Sequence, residues 1–160
     1  MKLVTFLDSD GKERAGVLID NGQKIVDLRS SNEKNGRSLN PGFLSVLALI
    51  EGGESALEDA KREIESPHSE AIIDATSTTL MSPIPRPPQI RDCLCFEDHL
   101  VQAYEVLRKV KAAGEPDPEA ALAQYEEQGL YGIPDVWYEQ PIYYKANRFS
   151  VIGTEQDIIW

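Results

Sequence analysis

The chain has 160 residues, 41% of them hydrophobic, so it can bury a core and is about one domain in size. Its 27 acidic and 16 basic residues give a net charge of −11, which repels phosphate backbones and argues against a nucleic-acid partner. No stretch reaches the roughly 18 apolar residues of a membrane span. Residues 1–8 are also too short and wrongly flanked for a signal peptide, so a cytoplasmic protein with no membrane partner is expected.

The first thirty residues predict a β-meander. Residues 3–7 form an apolar run ending at Asp8-Ser9-Asp10-Gly11, residues 15–19 form a second, and Asn21-Gly22 is a strong hairpin signal before a third strand at 24–28. Residues 30–41 are polar and turn-rich and predict a surface loop. Helical spacing follows at 43–51, with Phe43, Leu44, Leu47 and Ile50 on one face, and at 55–65, with Leu57, Ala60, Lys61 and Ile64. Gly52-Gly53 separates the two.

Pro83, Pro85, Pro87 and Pro88 make the next stretch stiff and extended, and predict a linker closing a first module, 1–85. Residues 90–96 read as a buried strand or loop. Cys93 and Cys95 read as small buried hydrophobes, since two cysteines and two histidines make neither a convincing zinc site nor a disulfide framework. Asp98 predicts the N-cap of a helix over 99–112, and a second helix is expected over 119–128. Strands are expected at 137–144 and 149–153. The apolar 157–160 has no closing signal and reads as an interrupted strand.

Few residues suggest chemistry. His99 stands near a helix start, and helix N-termini favour the neutral imidazole that a general base needs. His68, in a polar stretch, reads as solvated. Arg108 follows His99 by nine residues, a spacing read as a right angle or less around the helix, so that both border one cleft where a guanidinium would suit a carboxylate. Tyr144 and Lys145, on opposite faces of a regular strand, are candidates for binding a keto-acid. On the residues alone the plainer alternatives stand: a structural histidine, a surface arginine beside Lys109 and Lys111, and strand aromatics in a core.

Several blocks, in order, resemble the fumarylacetoacetate hydrolase family, particularly its longer members with an added amino-terminal module. They are Met1-Lys2-Leu3-Val4-Thr5-Phe6, Pro83-Ile84-Pro85-Arg86-Pro87, Ile90-Arg91-Asp92 with Phe96-Glu97-Asp98-His99, Trp137-Tyr138-Glu139, Pro141-Ile142-Tyr143-Tyr144-Lys145-Ala146-Asn147 and Ser150-Val151-Ile152-Gly153. The resemblance implies an α+β fold: a small β-rich amino-terminal module, 1–85, followed over 86–160 by the start of a mixed β-roll catalytic domain. It implies metal-dependent hydrolysis of a carbon–carbon bond in a diketo-acid or acylpyruvate, with related decarboxylases and isomerases as alternatives. Carried across, His99 matches the catalytic base, Asp92 a metal ligand, and Arg108, Tyr144 and Lys145 substrate contacts. The implied ion is Mg2+, or Ca2+ or Mn2+, held by oxygen ligands.

Cys93 and Leu94 depart from the aromatic residues usual after the aspartate, and Gln102 stands where some members place a glutamate. The family's Glu-x-Glu pair and later metal aspartate are expected beyond Trp160. The expectation is therefore a truncated or split hydrolase, working on a small oxo-acid as a homodimer or paired with a missing carboxy-terminal segment. The rival reading is a non-catalytic family fragment acting as an interaction module. A plain β-rich binding module does not explain the order of the blocks.

Overall fold

The computed structural model describes residues 1–159; Trp160, and with it the end of the apolar run at 157–160, lies outside the described residues. The architecture is α+β, with a small antiparallel sheet and several helices. The chain divides into two compact units, one made of Met1–Pro88 and the described residues from Asn147 onward, the other of Gln89–Ala146. No helix among the described residues is long and apolar enough to cross a membrane.

In the first unit, β1 (Lys2–Leu7), β2 (Glu13–Ile19) and β3 (Lys24–Asp27) form the expected meander. Asn21 and Gly22 carry the β2–β3 turn at φ of 56° and 89°, a region that suits these two residue types. Residues 30–41 depart from the expected loop, because α1 (Leu28–Lys34) occupies their first part. Asp27 caps it by accepting from the Ser30 amide at 3.0 Å, and Arg29 bonds Glu33 one turn on at 2.8 Å. Part of the polarity that suggested a loop, from Ser31, Asn32, Asn35 and Arg37, is directed onto a buried carboxylate described below.

After a 3-10 turn over Pro41–Leu44 come α2 (Val46–Glu51) and α3 (Gly53–Glu65), with Ser45 capping α2. Two short strands complete the sheet. β4 (Ile72–Asp74) pairs with β3 and β5 (Leu80–Met81) with β1, giving the order β4-β3-β2-β1-β5, antiparallel throughout.

Strand alternation sorts this core into two clusters. Val17 packs with Leu28, Phe43, Leu49, Ala56 and Ala60 under the helices. Val4, Phe6 and Ile25 pack with Leu18, Ile73 and Leu80. Gly16 lies against the second cluster, where an added Cβ would stand 2.5 Å from Ile25 Cγ2 and 3.0 Å from Phe6 Cε1. The proline-rich stretch is held to the sheet by Thr5 Oγ1 donating to the Pro83 carbonyl at 2.7 Å and by a paired Arg86–Glu13 bridge.

The second unit holds β6 (Arg91–Cys93), α4 (Glu97–Ala112), α5 (Pro118–Glu127), α6 (Val136–Glu139) and β7 (Tyr143–Lys145). Five sequence expectations are corrected. β6 is exposed rather than buried, and both Cys93 and Cys95 are exposed free thiols. α4 starts earlier than expected and is preceded by Phe96, so Asp98 lies inside its first turn and is not the cap. Residues 137–144 are not one strand, because α6 takes the first three aromatic-rich positions and Pro141, which has no N–H to donate, delays β7 to Tyr143. In the first unit, 149–153 contains a 3-10 turn, Arg148–Ser150, in place of a strand, with Asn147 capping the Phe149 amide at 3.0 Å.

Candidate functional site

The second unit carries every residue singled out by sequence, on a two-stranded ribbon and a helix. β6 and β7 are antiparallel, with Asp92 directly opposite Tyr144, Arg91 opposite Lys145 and Cys93 opposite Tyr143. Opposed residues share a face with Cβ atoms about 5 Å apart, and successive residues alternate. Asp92 and Tyr144 therefore stand side by side on one face. Arg91, Cys93, Tyr143 and Lys145 occupy the other, where the Arg91 guanidinium lies 4.7 Å over the Tyr143 ring. The ribbon brings Asp92 to Tyr144 and turns Lys145 away from both.

His99 is exposed in the first turn of α4. Beside it in that turn, Glu97 accepts a 2.5 Å hydrogen bond from the Tyr138 hydroxyl of α6. That bond, then burial and the Glu97 charge, push the Tyr138 phenol above its usual range. Trp137, next in sequence to Tyr138, donates from Nε1 to the Leu94 carbonyl at 2.6 Å. These two bonds fix α6 against the end of β6 and the start of α4. Sequence reasoning missed both, although the Trp137-Tyr138-Glu139 block contained their donors.

Arg108 is corrected. α4 runs unbroken through both residues, and nine residues at 3.6 per turn are about two and a half turns, so Arg108 and His99 lie on opposite sides of the helix. The guanidinium instead serves the α4–α5 side, donating from Nη1 to the Tyr131 carbonyl at 3.2 Å. Tyr131 in turn meets Tyr125 edge to face at 5.2 Å.

Among the described residues no three histidine, cysteine or acidic side chains converge to hold a metal ion. A hard divalent cation needs about six oxygen ligands, and Asp92 offers one carboxylate. The residues present do not by themselves fit a resident metal.

The most heavily supported carboxylate lies in the first unit and was also missed. Glu63 of α3, 1% exposed, accepts from Ser31 Oγ at 2.8 Å, Asn32 Nδ2 at 3.2 Å, Asn35 Nδ2 at 3.1 Å and the Arg37 guanidinium. Burial pushes its carboxyl up, but the bonds from Ser31, Arg37, Asn32 and Asn35 outweigh it and hold it below its ordinary value. Every donor comes from α1 or the residues just after it, so this cluster locks α1 to α3. Of the residues read at helical spacing on α3, Ala60 is buried and Leu57 and Ile64 pack against the core, while Lys61 is exposed; Ala56 and Glu63 are the further buried positions.

The fold is thus that of an α+β protein, and its second unit sets a two-stranded ribbon beside a helix, with no group of metal-ligating side chains among the described residues. No family model matches this chain, and no curated protein does.

Proposed function

We propose that the second unit supplies part of the active site of a fumarylacetoacetase-like hydrolase cleaving a carbon–carbon bond in a diketo-acid or acylpyruvate. The observation that carries this reading is the opposition of Asp92 and Tyr144 across the β6–β7 ribbon, two positions the family resemblance assigns to one site. His99 is the general base: exposed near the start of α4, it takes a proton from water as that water attacks the substrate carbonyl. The Tyr144 hydroxyl holds a substrate oxygen. Asp92 would offer one carboxylate to Mg2+, or Ca2+ or Mn2+, and such an ion would need further oxygen ligands that the described residues do not bring together. Arg108 and Lys145 contact substrate only in an assembly that rearranges their present faces, and they are the weakest members of the set.

Native mass spectrometry of the protein purified from its source tests this. A longer chain or a co-purifying polypeptide rich in carboxylates, with acylpyruvate hydrolysis that Mg2+ supports and His99→Ala abolishes, is the expected result. A 17.8 kDa species with no partner and no hydrolysis overturns it.

A second reading, a non-catalytic interaction module, is favoured by one observation. Ala103, Val106 and Val110 recur at helical spacing on α4, and the two valines are 60% and 65% exposed. A partner bound without hydrolysis or divalent-ion uptake is the outcome that selects it.

A further inference from the structure

Cys93 and Cys95 are both exposed and unbridged, separated by one residue at the end of β6. In extended backbone, residues two apart point to the same side with Cα atoms about 6.6 Å apart. Disulfides accept Cα separations of about 4.4–6.8 Å. The Cα separation falls within that range, but the parallel Cβ atoms, also about 6.6 Å apart, must approach to about 4 Å, so a bridge forms only if Leu94 leaves the extended conformation.

What resists contraction is the grip on the residue between them. The Leu94 amide donates to the Ile142 carbonyl at 3.3 Å, and the Leu94 carbonyl accepts from Trp137 Nε1 at 2.6 Å. Beyond Leu94 the ladder ends: continuing the register puts Cys95 opposite Pro141 in a non-hydrogen-bonded position, so no ladder bond holds Cys95. The strand end is thus clasped at Leu94 and unheld at Cys95.

We propose that Cys93 and Cys95 form a reversible dithiol–disulfide pair whose closure releases Trp137 from Leu94. The chemistry is thiol–disulfide exchange with a small anionic disulfide such as oxidised glutathione, which Arg91 and Lys145 attract to the ribbon face they share with Cys93. One cysteine thiolate attacks a glutathione sulfur, a Cys–glutathione bond forms, and one glutathione thiolate leaves. The second cysteine thiolate then attacks the cysteine sulfur of that mixed disulfide and expels the second glutathione. The protein loses two electrons, oxidised glutathione gains them, and the two thiol protons end on two reduced glutathiones. Closure pulls Leu94 out of extended backbone, so its bond to Trp137 is lost. The end of β6 next to Asp92 changes with it.

The experiment takes the full chain with Trp160→Phe, leaving Trp137 as the one tryptophan, and equilibrates it across a series of reduced and oxidised glutathione ratios. Intact mass, thiol titration and tryptophan emission are read together. The expected result is a fall from two titratable thiols to none, a monomer mass lower by two hydrogens, and a shift of Trp137 emission over the same ratios, all reversed by dithiothreitol. Cys93→Ser and Cys95→Ser should each stop at one glutathione adduct and lose the coupled emission shift. Two thiols persisting at the most oxidising ratio, a wild-type chain that stops as a mixed disulfide or links to a second copy, or a bridge that leaves Trp137 emission unchanged would each overturn the proposal.

Discussion

Replacing Glu63 by glutamine tests whether the buried carboxylate organises the first unit. The oxygen Oε1 serves Asn32 and Arg37, and Oε2 serves Ser31 and Asn35. Glutamine keeps one oxygen and turns the other into a donor. The least costly orientation points the new NH2 at Ser31, whose hydroxyl rotates to accept it, and at Asn35, which still donates to the Ser66 carbonyl at 3.3 Å. Asn32 and Arg37 then hold a neutral acceptor where a charged one stood, a loss of about 1 kcal/mol each. The expected cost is about 2 kcal/mol, after the relief of no longer burying a charge is set against the strained contact at Asn35. With a urea slope of about 2 kcal/mol per molar, the midpoint falls by about 1 M.

The pH profile supplies a second reading. Because the Glu63 carboxyl titrates below its ordinary 4.5 in the fold, its stabilisation is fully present above that value and is lost as pH falls through the folded pKa. The wild type should therefore lose more stability than Glu63→Gln between about pH 5 and pH 3. A midpoint shift below about 0.3 M, or identical pH profiles, would refute the reasoning.

Further outcomes are expected. Gly16→Ala should cost about 1–3 kcal/mol in the same assay, because its Cβ meets Ile25, the Val26 carbonyl and Phe6 at 3.0 Å or less; an unchanged midpoint would mean the sheet yields freely there. Asp27→Asn keeps an acceptor for the Ser30 amide but loses the charge facing Arg14 at 2.9 Å. It should lie about 1 kcal/mol above Asp27→Ala, which loses cap and pair together; equal stabilities would rule out the cap. Ultraviolet titration should find two tyrosines, Tyr125 and Tyr138, ionising later than the others, and Glu97→Gln should move only one of them back down, since the Glu97 hydrogen bond is the main cause of the Tyr138 shift. A titration curve unaltered by the substitution would remove Tyr138–Glu97 as a bonded pair.

What the sequence disclosed follows from how local each signal was. The meander at 2–27 was legible because alternation and the Asn21-Gly22 turn are decided within a few residues. α1 was not, because Ser31, Asn32 and Asn35 look like loop residues until Glu63, some thirty positions later, turns out to be their acceptor. Strand propensity misled at 137–140 for the same kind of reason: the Trp137 and Tyr138 side chains have acceptors on Leu94 and Glu97 that hold a helical turn in place. In the candidate site, Asp92, His99 and Tyr144 were nameable from motif blocks, but the Asp92–Tyr144 opposition depends on strand register, which no local window contains. Arg108 was misplaced through the helix angle alone.

The second unit begins and ends on paired strands, and the Ala146 amide donates to the Ile90 carbonyl at 3.3 Å. It is therefore a cassette whose own two ends lie side by side, so that holding them together asks little entropy of the chain. Both hydrophobic clusters of the first unit draw only on that unit's residues, so the ribbon and its helices can lengthen, shorten or be exchanged without removing a residue from that core.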